Sequence, residues 1–123
     1  MSRTIPIYVA VVDDDESLCR SLSRLLRAGG IQPITYTSAE LFLADTKHPQ
    51  FDCLVLDIQL GGMSGIELAR RLVAEGGHTP IIFITAHDNP ETRAEAEAAG
   101  CAAYFRKSDS GAEVLDAIRR AAA

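Results

Sequence analysis

Five short apolar runs, each followed by a helical pattern, restrict this chain more than anything else in it. "IYVAVV" (7–12), "IQPITY" (31–36), "CLVLDI" (53–58), "IIFITA" (81–86) and "CAAYFR" (101–106) have the length and residue types of strands. The first, third and fourth are almost unbroken aliphatics, as strands covered on both faces are. The second alternates and contains Pro33, which cannot donate to a ladder and suits a sheet edge. Strand–helix alternation at this spacing calls for right-handed crossovers. The fold class is therefore α/β, a doubly wound parallel sheet with helices on both faces.

The helix boundaries are legible too. Leu18, Leu22, Leu25 and Leu26 form one apolar stripe, and Gly29-Gly30 ends that helix. Thr37-x-x-Glu40, Ser64-x-x-Glu67 and Ser110-x-x-Glu113 read as capping boxes, and Asn89-Pro90 as an N-cap with proline at the first helical position. The helix at about 90–100 carries alanines where a core helix would carry Leu or Ile, so it is expected to dock shallowly and to be able to move. With 123 residues the chain can bury a core without staples, and 1–123 is read as one domain, with 1–5 as a short tail.

In an open parallel sheet, ligands bind beyond the carboxyl ends of the strands. Asp13, Asp14 and Asp15 follow the first run, Asp57 ends the third, Thr85 the fourth, and Lys107 follows the fifth. With runs one, three, four and five taken as the central strands, these groups meet in one crevice. The stretch "VVDDDES" (11–17) can be a soluble turn with one carboxylate capping a helix, or it can hold a cation. Asp57 behind "LVL" is badly placed for an unpaired carboxylate, and two carboxylates side by side raise each other's pKa unless a cation joins them. An all-oxygen donor set suits Mg²⁺. A carboxylate nucleophile, a divalent cation, a lysine and a hydroxyl are what phosphoryl transfer to an aspartate requires.

In this order and on these strand ends, the residues resemble the receiver domain of two-component response regulators. The resemblance covers residues 5–121 and rests on the acidic cluster, "LVLDIQLGGMSGIEL" (54–68), "FITA" (83–86) and "YFRK" (104–107). It implies a flavodoxin-like (βα)5 sheet of strand order 2-1-3-4-5. It also implies Asp57 as phosphoacceptor, Mg²⁺ held by Asp13, Asp14, Asp57 and the carbonyl of Gln59, and Thr85 and Lys107 on the phosphoryl oxygens. Tyr104 would be an aromatic switch coupled to Thr85, acting on the face formed by the fourth helix, fifth strand and fifth helix. Gln59 and His87, two residues after Asp57 and Thr85, would set phosphoryl lifetime. Asp15 and Glu16 are then left as first-turn helix charges.

The implied donor is a histidine kinase or histidine phosphotransfer protein, and the implied output is a downstream protein, a missing output domain or a phosphorylation-dependent homodimer. Arg20, Arg24 and Arg27 line one face of the first helix, as a docking site for the donor or as a solvated basic stripe. Two features depart from the family pattern. Ser108 stands where a proline usually follows the lysine, so a trans Lys107–Ser108 bond and a rearranged "KSDSG" loop are expected. Leu60-Gly61-Gly62 replaces the common Met-Pro, which predicts a looser loop.

Other readings fit less well. A net charge of −5 argues against direct nucleic-acid binding. No run approaches the ~20 apolar residues of a membrane span, and the N-terminus lacks a signal-peptide pattern, so a cytoplasmic protein is expected. Cys19, Cys53 and Cys101 lack metal-ligand spacing and read as small buried residues in a reducing compartment. A haloacid-dehalogenase-type Mg²⁺ phosphatase would use Asp13-x-Asp15 but expects Gly-Thr behind it and a cap domain. A flavodoxin would need hydroxyls where four carboxylates stand, and an EF-hand lacks its Gly and distal Glu. A phosphate-independent receiver-like interaction module is the remaining alternative to a phosphoacceptor switch that is not a multi-turnover enzyme.

Overall fold

The computed structural model describes residues 5–123, so all but Ile5 of the expected tail lies outside the described residues. Ten elements alternate: β1 (Ile7–Val12), α1 (Glu16–Ala28), β2 (Ile31–Tyr36), α2 (Ala39–Ala44), β3 (Cys53–Asp57), α3 (Gly65–Ala74), β4 (Ile81–Thr85), α4 (Pro90–Ala98), β5 (Ala103–Arg106) and α5 (Gly111–Ala122). The five strands form one parallel sheet in the order β2-β1-β3-β4-β5. The expected strand order is thus observed. The fifth run, taken above with the central strands, is an edge, which leaves the carboxyl ends of β1, β3 and β4 in the middle of the crevice. Pro33 lies on the opposite edge strand, as its missing N–H demands.

Side-chain alternation divides the core. Val9, Val11, Cys53, Val55, Ile82 and Ile84 face one side and pack with Cys19, Leu22 and Leu26 of α1 and Val114 and Ile118 of α5. Ala10, Val12, Leu54, Leu56, Ile81 and Phe83 face the other and pack with α2, α3 and the single buried residue of α4, Ala96. Every residue of β3 and β4 is buried, as their aliphatic composition requires. The shallow seat expected of the fourth helix is observed.

Capping differs in detail from expectation. Asp15 is not merely a first-turn charge but the N-cap of α1, its Oδ1 accepting from the Ser17 and Leu18 N–H groups at 3.0 and 3.2 Å. α2 starts one residue later than the Thr37 box predicts: Ser38 is its N-cap and accepts from Leu41 N–H. The buried pair Ala39 and Phe42 sets that register, and it moves Glu40 out of the position that could close a box. Ser64 and Asn89 cap α3 and α4 at the expected N–H groups, while Ser110 accepts from Ala112 N–H rather than Glu113 N–H. No peptide bond of the described residues is cis, so Lys107–Ser108 is trans as expected. The loop that follows is a tight turn in which Asp109 N–H donates to the Arg106 carbonyl at 2.9 Å and its carboxylate accepts from Arg106 N–H at 2.8 Å. Cys19 and Cys53 are buried, Cys101 is half-buried, and all three are free. Among the described residues no helix is long and apolar enough to cross a membrane.

Candidate functional site

Strand parity decides which polar groups meet. Asp13, Asp57 and Lys107 continue the α1/α5-facing alternation of β1, β3 and β5, so their side chains emerge on the same side of the sheet's carboxyl edge. Thr85 and Tyr104 continue the opposite alternation. The contacts follow this division. Lys107 Nζ donates to Asp13 Oδ1 and to Asp57 Oδ2, each at 3.1 Å, which bridges the two carboxylates. Both aspartates are buried, Asp13 at 0% and Asp57 at 2% exposure. The second oxygen of Asp57 accepts from Gln59 N–H at 3.2 Å, and Asp13 Oδ1 also accepts from Asp15 N–H at 2.8 Å. Main chain of β2 holds the acidic turn from behind, with Asp13 N–H donating to the Tyr36 carbonyl at 3.0 Å.

One oxygen is left over. Asp13 Oδ2 lies 3.0 Å from the Lys107 ammonium but off the direction of a hydrogen bond, and it is a buried acceptor without a hydrogen-bond partner among the described residues. Asp13, Asp14 and Asp57 each offer a carboxylate oxygen, all within 4.8 Å of one another, and Asp14 is open to solvent. An orphaned buried oxygen beside two further carboxylates and a solvent-facing side fits a hard divalent cation that keeps some of its waters. The three carboxylates expected to hold a metal therefore come together, with the Gln59 N–H bonded to Asp57 beside them.

Burial, and next the charge of Asp13, push the Asp57 carboxyl up to about 6, against the opposing pull of Lys107. Burial acts to lower Lys107, but its bonds to Asp13 and Asp57 prevail and hold it above the ordinary lysine value. At neutral pH Asp57 is therefore ionised and more basic than a surface aspartate, and Lys107 is charged.

Thr85 is fully buried, and its Oγ1 accepts from His87 N–H at 3.0 Å. It makes no hydrogen bond to Asp57, so the structure places it beside the acid–lysine cluster rather than in it. Tyr104 faces outward. Its hydroxyl donates to Asp88 Oδ1 at 2.9 Å, and the Arg93 guanidinium sits 4.9 Å above its ring. Burial and the Asp88 bond push its hydroxyl up to about 12. Asp88 and Arg93 are neighbours of the site that sequence reasoning did not single out. Asp88 and Arg93 lie on no strand end and follow no spacing that would mark them. The side chains of Gln59 and His87 are exposed at the rim.

A family model described as the response regulator receiver domain matches residues 9–119. The chain is 35% identical over 113 residues to the response regulator protein TodT of Pseudomonas putida, a match covering 92% of this chain and 50% of TodT. It is 33% identical over 119 residues to the transcriptional regulatory protein FixJ of Azorhizobium caulinodans, covering 97% of this chain and 56% of that protein. The chain thus spans about half the length of these curated relatives. The crystal structure of a response regulator receiver protein from Burkholderia phymatum superposes with a TM-score of 0.82 at 44% identity, over 94% of each chain.

Proposed function

Because this chain belongs to the response regulator receiver domain family, we infer that Asp57 is its phosphoacceptor and that 1–123 is one receiver domain acting as a phosphorylation-controlled switch. The observation that carries the assignment is the bridge of Lys107 between Asp57 and Asp13 at 3.1 Å, beside the orphaned Asp13 oxygen. Asp57 presents an ionised oxygen from the end of a rigid central strand. Phosphoryl transfer forms a bond from that oxygen to phosphorus while the bond from phosphorus to a histidine nitrogen of the donor breaks. Lys107 neutralises charge on the transferring group and then pairs with the aspartyl phosphate. Asp13, Asp14, Asp57 and the Gln59 carbonyl would hold Mg²⁺, which supplies charge neutralisation at the phosphoryl oxygens when bound.

Thr85 keeps a hydroxyl proton free to donate, since its oxygen already accepts from His87. A phosphoryl oxygen at Asp57 would draw that hydroxyl toward it and vacate space on the side of the sheet that Thr85 shares with Tyr104. The inward turn of Tyr104 must break its bond to Asp88 and its contact with Arg93, so the outward state is the resting one. The α4–β5–α5 face would change with it, a population shift between two states. Gln59 and His87 flank the path of the water that hydrolyses the phosphate, a self-limited reaction rather than turnover of a free substrate. Donor and output are protein partners: a histidine kinase or phosphotransfer protein on one side, and a downstream protein, an output domain or a second copy on the other, in the cytoplasm.

Intact mass after incubation with acetyl phosphate tests this. A gain of one phosphoryl group that needs Mg²⁺ and is absent in Asp57→Asn is expected. No gain in the wild type would leave a phosphate-independent interaction module, and sustained release of phosphate from a phosphomonoester would favour a phosphatase.

A further inference from the structure

The side chains of Leu60 and Met63 in the loop after Asp57 pack against the core, but its main chain is tied from outside by one hydrogen bond among the described residues. Ile58 is pinned by its N–H to the Ile84 carbonyl at 3.2 Å and by its carbonyl to Gly65 N–H at 3.0 Å. Between these anchors, the main chain of Leu60–Met63 makes a single hydrogen bond among the described residues: Met63 N–H donates to Glu40 Oε2 at 2.9 Å. Glu40 lies in the first turn of α2, far along the chain and on no strand end. The same carboxylate fills the space beside Gly62. A Cβ at that residue would lie 2.9 Å from Oε2 and 3.2 Å from Oε1, and its φ of +133° already excludes most side chains. The bond to Met63 is also the leading cause that holds the Glu40 carboxyl below its ordinary value. Glycine at 62 and the acid at 40 are thus parts of one contact, a feature the double glycine alone does not reveal.

We propose that Glu40 is a positioning residue for the acceptor loop, fixing the main chain that carries the Gln59 carbonyl so that it is preset for the divalent cation; this rests on the receiver reading above. Glu40 touches neither cation nor phosphoryl group. It acts by restricting the main chain between Gln59 and α3, where two glycines add freedom that the packing of Leu60 and Met63 leaves in place. Glu40→Gln keeps an oxygen that can accept from Met63 N–H but removes the charge, whereas Glu40→Ala removes both.

The test measures amide hydrogen exchange at Met63 and the Mg²⁺ dissociation constant, by chemical-shift titration with Mg²⁺ alone, in the wild type and both variants. In Glu40→Ala the Met63 amide is expected to exchange about three- to tenfold faster and Mg²⁺ to bind about two- to fivefold more weakly, the scale of one exposed charge-assisted bond. Glu40→Gln is expected to recover most of both.

If Glu40→Gln loses as much Mg²⁺ affinity as Glu40→Ala with the Met63 amide still protected, the effect is charge at a distance and the positioning role is wrong. It is wrong as well if the amide is released while Mg²⁺ affinity stays unchanged. A wild type that takes up neither Mg²⁺ nor phosphoryl group overturns the receiver reading itself, an outcome separate from both.

Discussion

At the scale of single residues, folding holds Asp57, the proposed acceptor, in an unfavourable charged state that a nearby cation would relieve. Asp57 is buried beside a second carboxylate, and one lysine serves both. The Asp57 pKa of about 6 lies above the ordinary 3.8, so between about pH 4 and about pH 6 the folded protein holds a proton there that the unfolded chain has given up. The stability this contributes is present below about pH 4 and is lost as pH rises through about 6. In metal-free buffer, Asp57→Asn should therefore raise stability at pH 7–8 by about 2–3 kcal/mol, and the advantage should vanish near pH 4. Urea unfolding of both proteins across that range checks this. An advantage independent of pH would mean that packing, not charge, distinguishes the variant.

At the scale of elements, two contacts set what can move. A Cβ on Gly65 would collide with the Asp57 carbonyl oxygen, so the start of α3 is seated directly against the Asp57 main chain. Gly65→Ala must push that helix away and is expected to cost about 2–4 kcal/mol, read as a lowered midpoint in thermal unfolding. The other side of the crevice is loosely tied. Tyr104 is kept outward by Asp88 and Arg93, each contact an exposed one worth about 0.5–1 kcal/mol. Asp88→Ala should shift Tyr104 toward the inward position without any phosphoryl group, visible as a change in its ring resonances. Unchanged resonances would remove Asp88 from the resting state.

The strand ends were legible in the sequence because a parallel sheet brings every carboxyl end to one edge; Asp13, Asp57 and Lys107 needed only chain order. Glu40, Asp88 and Arg93 were not legible. Each is an ordinary helix-start or loop residue whose partner, Met63 or Tyr104, is chosen by tertiary packing. The Thr37 box was misread by one residue because local spacing cannot see that Ala39 and Phe42 must both face the core. Ser108 was legible as a departure, but the turn closed by Asp109 on Arg106 was not, since any short polar residue could have stood there.

At the scale of the whole molecule, folding itself builds the candidate cation site. Asp13 directly follows β1 and Asp57 ends β3, adjacent strands that only the folded sheet brings together. Mg²⁺ at about a hundred times its dissociation constant should add about 2.7 kcal/mol of stability. That corresponds to a rise of about 5–10 °C in Tm. The increment should disappear in Asp13→Asn and on chelation. A rise that survives in that variant would place the ion elsewhere.

α4 contributes one buried side chain, Ala96, to the core. The rest of its surface is therefore under little obligation to the fold, and sequence can drift there at small cost. Two receivers that share this scaffold can diverge in whom they address by exchanging a few residues of this helix, while the phosphorylation chemistry, built on the buried strands, is inherited intact.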